Sequence, residues 1–564
     1  MKRTKSKTLD PITLEIMFNA LRSVADETFI ALMKSAYSTN IKERRDHSTA
    51  IMDANGRLIV QADASLPVHL ASMGGLMKAL LKKFKNKIDP GDIFIANDPH
   101  VAGGTHLPDI NMAMPIFEDD TLVAFMCNIA HHADVGGSVP GSMAGGMTEI
   151  YQEGLRIPVI KLFKKGDLQT DLLDLALLNV RVPDERRGDY FAQIASCRIG
   201  ALRINEIIKK YSINSIITCF EEIISRTTLR MKRAIKELPD GIYKFKDIMD
   251  DDGMGTFEIP VRVEITVKGS NIHFDFTGTA NQVTGNINVT RNATQASVCY
   301  ALKALLDPDV PNNQGILDLP RITISEGSLL DANFPAPVAA RANTCQRIID
   351  VILGALAPAK PQAAVAAANG ANTTAVFSGE DPRTGESYVY LETLGGGFGG
   401  RAQKDGKDGV QAHITNTSNL PVESIEMEYP LMVHSYKLIE ESGGAGRHRG
   451  GLGLERIIEP VGHGCVFNGA GERFAQKPWG IFGGSDGMTG EFLKLGCKGN
   501  QEQLPNKPIG ININEKEAVI IRTPGAGGYG PPRERSNEDL TEDVNNEKFG
   551  EGFMKQNYPQ WSPN

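Results

Sequence analysis

Two short stretches of this 564-residue chain hold the side chains best suited to gripping a metal ion. Gly103-Gly104-Thr105-His106-Leu107-Pro108-Asp109 precedes Asn128-Ile129-Ala130-His131-His132-Ala133-Asp134-Val135-Gly136-Gly137, so five potential ligands occur between His106 and Asp134. Of the 11 histidines, His100, His106, His131 and His132 fall in or just ahead of this window. Imidazole nitrogen together with carboxylate oxygen suits Zn, Mn or Fe. A His-x-x-Asp loop can turn both side chains toward one ion. A histidine at a neighbouring strand end can then complete a facial set with one position left for water. The spacing satisfies no fixed ligand motif, and the same groups also suit a hydrogen-bonded polar loop; the residue types favour the metal.

A second polar group, Glu43-Arg44-Arg45-Asp46-His47-Ser48, would ordinarily be solvated surface, but a strand follows it. A carboxylate just before a strand in the same domain can supply a fourth ligand or orient one, which makes Asp46 a candidate. The elements that must position these groups are legible. Asp10-Pro11 starts a helix in which Leu14, Met17, Leu21, Val24 and Leu32 recur at helical spacing. Residues 49–52 and 57–60 flank Asn55-Gly56 as a tight hairpin. A helix is expected over 70–84 and a strand over 93–96. Strands over 111–117 and 122–130 place His131 at a strand end.

Farther along, residues 184–238 read as long helices and 241–277 as antiparallel strands. Helix returns over 293–306 and 347–356, and the stretch 395–530 is dense in glycine and short strands. The expected fold class is therefore mixed α/β and multidomain, with antiparallel β-rich regions and long helices. The expected domains are 1–240, an α/β unit carrying the metal-site motifs; 241–345, a β-rich unit with a helix; and 346–532, a glycine-rich α/β unit. Residues 533–564 are polar, with few apolar side chains, and read as a disordered or loosely held tail.

A net charge of -8 and a pI near 5.9 exclude a generally basic nucleic-acid-binding face. The basic run Lys2, Arg3, Lys5 and Lys7 reads as a solvated arm and lacks the apolar core of a signal peptide. No apolar stretch approaches the roughly 20 residues that span a bilayer. The seven cysteines are scattered, without a CxxC pair, which suits buried thiols in a reducing compartment. A cytoplasmic location is expected. Gly525-Ala526-Gly527-Gly528-Tyr529-Gly530 and Gly397-Phe398-Gly399-Gly400-Arg401-Ala402 carry glycine spacings of dinucleotide-binding turns, but neither opens a helix able to receive a pyrophosphate. No phosphate loop is present, so no nucleotide cofactor is expected on this chain.

Taken together, Glu43-Arg44-Arg45-Asp46, Pro67-Val68-His69-Leu70, Asn97-Asp98-Pro99 and the two histidine motifs resemble the hydantoinase B/oxoprolinase family. Thr148-Glu149-Ile150-Tyr151-Gln152-Glu153-Gly154-Leu155-Arg156-Ile157-Pro158, Ser442-Gly443-Gly444-Ala445-Gly446 and Thr523-Pro524 with the following glycines extend the resemblance over roughly residues 8–532. It implies that ATP and Mg are bound by a hydantoinase A-like partner, which phosphorylates the substrate oxygen, while this chain holds a divalent transition metal. The family's metal positions fall on His106, Asp109 and His131, with Asp46 a further ligand. Asp46, His132 and Asp134 become the candidates for catalytic roles, the last two as supports of the ligands. The implied function is ATP-dependent hydrolysis of a cyclic amide (hydantoin, oxoproline or lactam) in a hetero-oligomer that engages a small-molecule substrate, without nucleic acid or membrane. Ketone carboxylation by related subunits and a non-catalytic scaffold for the ATP-binding partner are the alternatives.

Overall fold

Asp10 accepts hydrogen bonds from the amides of Ile12 and Thr13 at 3.1 and 3.0 Å. With Pro11 in the first turn, the cap starts α1 (Pro11–Ser35), whose buried stripe includes Leu14, Met17, Leu21, Val24 and Leu32. The structure, a computed structural model, describes residues 9–562; the basic run Lys2, Arg3, Lys5 and Lys7 lies outside the described residues. After the short α2 (Thr39–Lys42), seven antiparallel strands form the first sheet: β1 (His47–Asp53), β2 (Leu58–Gln61), β3 (Ile93–Ala96), β4 (Asp109–Glu118), β5 (Thr121–His131), β6 (Ile160–Lys164) and β7 (Asp167–Leu168). They lie in the order β2-β1-β5-β4-β3-β6-β7.

Both faces of this sheet are covered, which is why β1 is buried along its whole length. Ile51, Ala124 and Met126 join α1 and two long helices, α5 (Pro183–Tyr211) and α6 (Ile213–Lys236), which follow the short α4 (Thr170–Leu178). Ala50, Met52, Phe125 and Cys127 point the other way, toward α3 (Ser72–Phe84) and the core of the next unit.

That unit is a four-stranded sheet of β8 (Gly241–Asp251), β9 (Phe257–Lys268), β10 (Asn271–Asp275) and β11 (Arg321–Thr323). Only β10 and β11 pair in parallel. It packs with α7 (Arg291–Leu306), the short α8 (Gln314–Leu317) and α9 (Arg341–Leu356). Every residue of α9 is buried. The boundary expected at 345 therefore falls inside a core helix. The boundary expected at 240 coincides with the α6 to β8 connection, but one hydrophobic cluster runs across it, from Ala50 and Phe94 to Val261 and Ile348. The two segments share a core because the back of the first sheet has no other cover.

The last unit stacks two sheets on a common core containing Phe377, Tyr390, Phe467, Ile458, Phe492 and Ile521. Its strands are β12 (Thr373–Glu380), β13 (Ser387–Leu394), β14 (Leu431–Leu438), β15 (Leu454–Pro460), β16 (Cys465–Ala470), β17 (Glu491–Leu495), β18 (Gln501–Gln503), β19 (Ile511–Ile513) and β20 (Ala518–Arg522). They divide as β13-β12-β16-β19 and β14-β15-β20-β17-β18, with α10 (Val422–Glu428) alongside. Among the described residues, no helix is long and apolar enough to cross a membrane.

The segment from 533 onward differs from the tail expected of its composition. It forms α11 (Asn537–Asn545) and α12 (Glu551–Asn557). Leu540, Phe549, Met554 and Tyr558 are buried against Ala445 and Leu452 of the glycine-rich unit. Arg535 donates to Asp405 at 2.8 Å and to Asp543 at 2.9 Å, while Arg449 reaches Asp543 at 3.1 Å. Few apolar residues suffice here because these four are buried in one cluster, each such burial contributing roughly 1.5–3 kcal/mol. Deleting residues 533–564 is expected to lower the melting temperature by at least about 5 °C and to reduce soluble yield. Differential scanning calorimetry of the truncated chain checks this, and an unchanged melting temperature refutes docking.

Candidate metal centre

The site forms at one end of the three central strands. Asp109, the first residue of β4, is the direct cross-strand partner of His131, the last of β5. His47 of β1 pairs with Ala130, and the Asp46 carbonyl accepts from the His131 amide at 2.9 Å. The 103–109 loop brings in His106. Asn97 holds that loop, donating at 2.8 Å to the carbonyls of both Leu107 and Leu155. Asp98 caps the amides of His100 and Val101, each at 2.9 Å, and takes Arg156 at 2.6 Å. Gly103 has φ +76°, and a Cβ there would stand 2.3 Å from the Gly75 backbone, so no larger residue lets the loop close on α3.

One ligand atom from each of His106, Asp109 and His131 falls within 4.8 Å of the others, and all three residues are buried. His106 Nε2 lies 3.1 Å from Asp109 Oδ1, yet both atoms lack a hydrogen-bond partner. Two such buried atoms facing each other leave a position that a cation fits, and their mixed nitrogen and oxygen chemistry suits Zn, Mn or Fe. His106 is already oriented as a ligand, because its Nδ1 lies 3.0 Å from the Ala339 carbonyl, which sets the proton on Nδ1 and the lone pair on Nε2. His131 differs. Arg44 donates to Asn40 Oδ1 at 2.5 Å, so the Asn40 amide nitrogen faces His131 Nδ1 at 2.7 Å, and Nε2 touches the Met143 sulfur at 3.2 Å. Ligation through His131 Nε2 requires the opposite tautomer.

Burial alone would raise the pKa of Asp109, but His106, Arg341 and His69 outweigh it and hold the carboxyl well below the usual range. Arg341 of α9 donates to Asp109 Oδ2 at 2.9 Å, Thr105 at 2.5 Å, and His69 Nε2 lies 3.6 Å away. Burial, with the charges of Arg341 for one and His106 for the other, lowers the pKa of His106 and His131, so both rings are neutral near pH 7. The three donors thus stand deprotonated as a metal needs.

Asp46 is buried close by, 3.9 Å from Arg44, but its carboxylate lies outside the three-residue group. Burial raises its pKa against the pull of Arg44. The other two sequence candidates face elsewhere. His132, one residue past the end of β5, bonds Gln193 at 3.0 Å and packs on Tyr190 of α5. Asp134 accepts from the amides of Gly136, Gly141 and Arg181 and from the Arg181 side chain, at 2.8 to 3.0 Å, which ties down the glycine loop behind the site. Neither touches the donor atoms; both brace the loop that follows His131. His100 bonds the Ala336 carbonyl at 3.0 Å on the far side of the same wall.

Several contributors escaped sequence reasoning. Arg341 comes from a helix 232 residues beyond Asp109. Glu153, within the quoted Thr148 to Pro158 motif, accepts from the amides of Val338 and Ala339, both at 2.7 Å, and so positions the carbonyl that orients His106. Burial pushes the Glu153 carboxyl up to about 8, against those two amides.

The model of the Hydantoinase B/oxoprolinase family matches residues 10–532, and the chain belongs to that family. It is 40% identical over 546 residues to an uncharacterized protein of Methanocaldococcus jannaschii, covering 96% of this chain and 94% of the other. It is 33% identical over 557 residues to a putative D-/L-hydantoinase B-type subunit of a Pseudomonas strain, covering 96% and 93%. The crystal structure of the ATP-dependent caprolactamase from Pseudomonas jessenii superimposes with a TM-score of 0.94 at 27% identity, covering 99% of this chain and 97% of that one.

Two measurements test the centre. The purified chain is expected to carry about one transition metal, and His106→Ala/His131→Ala to carry less than about a tenth of that, by elemental analysis. Glu153→Ala is expected to weaken metal affinity by about 10- to 100-fold, as loss of a group orienting a ligand does, while Glu153→Gln keeps an acceptor for both amides and retains metal. Stability is expected to fall in acid. Burial depresses His47 to about 3 and His132 to about 4, from an ordinary 6.5. The unfolded chain protonates both below about 6.5 while the fold keeps them neutral, so each removes about 1.4 kcal/mol per pH unit from about 6.5 down toward its folded value. Denaturant midpoints of the metal-free chain at several pH values between 4 and 8 check the sign.

Proposed function

We propose that this chain is the metal-bearing subunit of a two-component, ATP-dependent enzyme that hydrolyses a cyclic amide of the hydantoin, oxoproline or lactam type. The observation that carries the reading is the buried pair of unpartnered ligand atoms, His106 Nε2 and Asp109 Oδ1, in a chain of this family. A hydantoinase A-like partner binds ATP and Mg and phosphorylates the amide oxygen, in the cytoplasm. The absence of any phosphate-loop pattern from this sequence and the subunit names of its relatives support that division.

An amide resists water because resonance withdraws electrophilicity from its carbon. Transfer of phosphate to its oxygen removes that protection, and water then adds to the carbon. Collapse of the tetrahedral centre with a protonated ring nitrogen as leaving group opens the ring to an acyl phosphate, and attack of a second water on its carbonyl carbon releases inorganic phosphate and leaves the carboxylate. His106, Asp109 and His131 would hold the metal, with Asp46 as a further ligand or as the group that takes a proton from water. A divalent transition metal in this position supplies Lewis acidity that lowers the pKa of water and polarises the substrate oxygen. Asp46 suits proton transfer because burial raises its carboxyl while Arg44 limits the rise. Arg341 keeps Asp109 ionised, and His132 and Asp134 hold the strand end and its loop in place.

In a complex with the partner, Asp109→Ala is expected to reduce ring opening by at least about 1000-fold while nucleotide binding by the partner survives. Product, phosphate release and nucleotide binding are to be measured separately with hydantoin, 5-oxoproline, a lactam and a ketone. Ring opening by Asp109→Ala at the wild-type rate, ATP hydrolysis by this chain alone, or carboxylation of the ketone would overturn the reading.

A further inference from the structure

Nine residues along α9 from Arg341, a rise of about 14 Å, stands Asp350. Its Oδ1 lies 3.3 Å from His413 Nε2, and its Oδ2 accepts from Arg473 at 2.7 Å. His413 has φ +46°, a left-handed conformation that a non-glycine residue keeps only under tertiary constraint. Its ring is flanked by Tyr300 and Phe398, with centroids 6.0 and 5.4 Å away. A cavity of about 370 Å³ opens over this histidine, lined also by Ser65, Leu70 and Lys303. The turn Pro67–His69 separates it from the metal centre, since Pro67 lines the cavity while His69 faces Asp109.

The cavity continues past Phe398, Gln411 and Asn416 into a hollow of about 540 Å³ that adds Arg401 and Lys407. Lys303, half-buried, donates to Asn312 Oδ1 at 2.9 Å. Asp63, which also lines the cavity, pairs with Arg22 at 2.7 Å, Asp307 pairs with Arg230 at 2.5 Å and Asp350 with Arg473, and Asp309 lies near Lys303 as well. Arg401 donates to the Asp405 backbone at 2.7 Å, and its buried Nε has no partner. Asp405 itself holds Arg535 at 2.8 Å, and Asp408 holds Arg449 at 2.7 Å. Among the described residues, no carboxylate lies within ion-pair distance of Lys303, Arg401 or Lys407. Lys303 and Arg401 therefore line the groove without an ion-pair partner, and Lys407 is exposed beside them, so their charges are available to a bound anion.

We propose that this groove is a second small-molecule site, separate from the metal centre, that takes a compact oxyanion, a carboxylate or a phosphate, with any apolar body lying against Leu70, Tyr300 and Phe398. Lys303 is the primary contact in the smaller hollow, and Arg401 with Lys407 extends the site to longer or more highly charged anions. A charge-neutral ring such as a lactam gains nothing from these groups.

The test is isothermal titration of the full chain with glutarate, inorganic phosphate and, as the uncharged control, 2-piperidone. Glutarate, phosphate or both are expected to bind, and 2-piperidone to bind at least about 10-fold more weakly at this site. Which of the two anions binds identifies the source of the oxyanion. Lys303→Met is expected to weaken binding by about 10-fold or more, Arg401→Gln/Lys407→Gln to weaken it further for the longer anion, and both to keep wild-type metal content and melting temperature. His106→Ala/His131→Ala is expected to bind the anion as wild type does. Absence of binding by both anions, unchanged affinity in Lys303→Met, or loss of binding in the metal-site variant would overturn the proposal. If Lys303→Met loses its fold, Lys303→Gln and competition by increasing chloride give the same readout.

Discussion

A negative charge in the interior governs the construction of this protein. Asp109 is fully buried, and an isolated carboxylate there would be untenable by several kcal/mol. Its neighbours supply the compensation: Arg341 from α9, the Thr105 hydroxyl from its own loop, and His69. These groups arrive from three separate parts of the chain. The carboxylate therefore acts as a point around which the first sheet, the turn Pro67–His69 and the second unit's central helix must assemble together. Because Arg341 opens a helix buried along its whole length, its position cannot adjust independently of the core. The same arrangement that makes Asp109 tolerable leaves its Oδ1 and His106 Nε2 without partners, so stability and ligand capacity come from one set of contacts.

A second set of buried charges fastens the other end of α9 to the glycine-rich unit. Arg347 reaches Asp247 at 3.0 Å and Glu472 at 3.2 Å, and Arg473 bridges Asp247 and Asp350, both at 2.7 Å. Lys507 completes the cluster beside Asp251 and Glu472. Burial, together with the neighbouring Asp250 charge, pushes Glu472 up to about 7 in spite of Lys507 and Arg347. Such networks contribute less to net stability than to uniqueness of arrangement, because breaking any member strands a buried charge. Here they set how β8, α9 and the last unit meet, and with it the wall of the groove that contains His413.

The glycine motifs illustrate how local patterns acquire their meaning from packing. A Cβ on Gly525 would stand 1.9 Å from the Ser442 carbonyl oxygen, and one on Gly397 would stand 2.2 Å from that of Gly451. Backbone lies directly against backbone, with amide to carbonyl bonds such as Gly397 to Pro524 and Gly527 to Ala367 between the segments. The glycines that mimic a dinucleotide turn let neighbouring strands of chain touch, and no α-helix opens directly from either stretch.

Local physics made much of this protein legible beforehand. The capped first helix, the Asn55-Gly56 hairpin, the β4 and β5 strands with His131 at the strand end, and the antiparallel β8 to β10 region all follow from short-range spacing and turn chemistry. The residue types in the two histidine motifs were visible in the sequence, the choice of His106, Asp109 and His131 came from the family resemblance, and the fold brings one ligand atom of each within 4.8 Å of the others. What pairs across long sequence separations was not: Arg341 on Asp109, Glu153 behind Ala339, or the docking of α11 and α12 through scattered Leu540, Phe549, Met554 and Tyr558. The core shared across the boundary expected at 240 belongs to the same class. Sequence alone determined which residues could do chemistry and which elements carry them. Tertiary structure decided which of those residues face one another, because a strand's period assigns its side chains to a face while only packing assigns that face a partner.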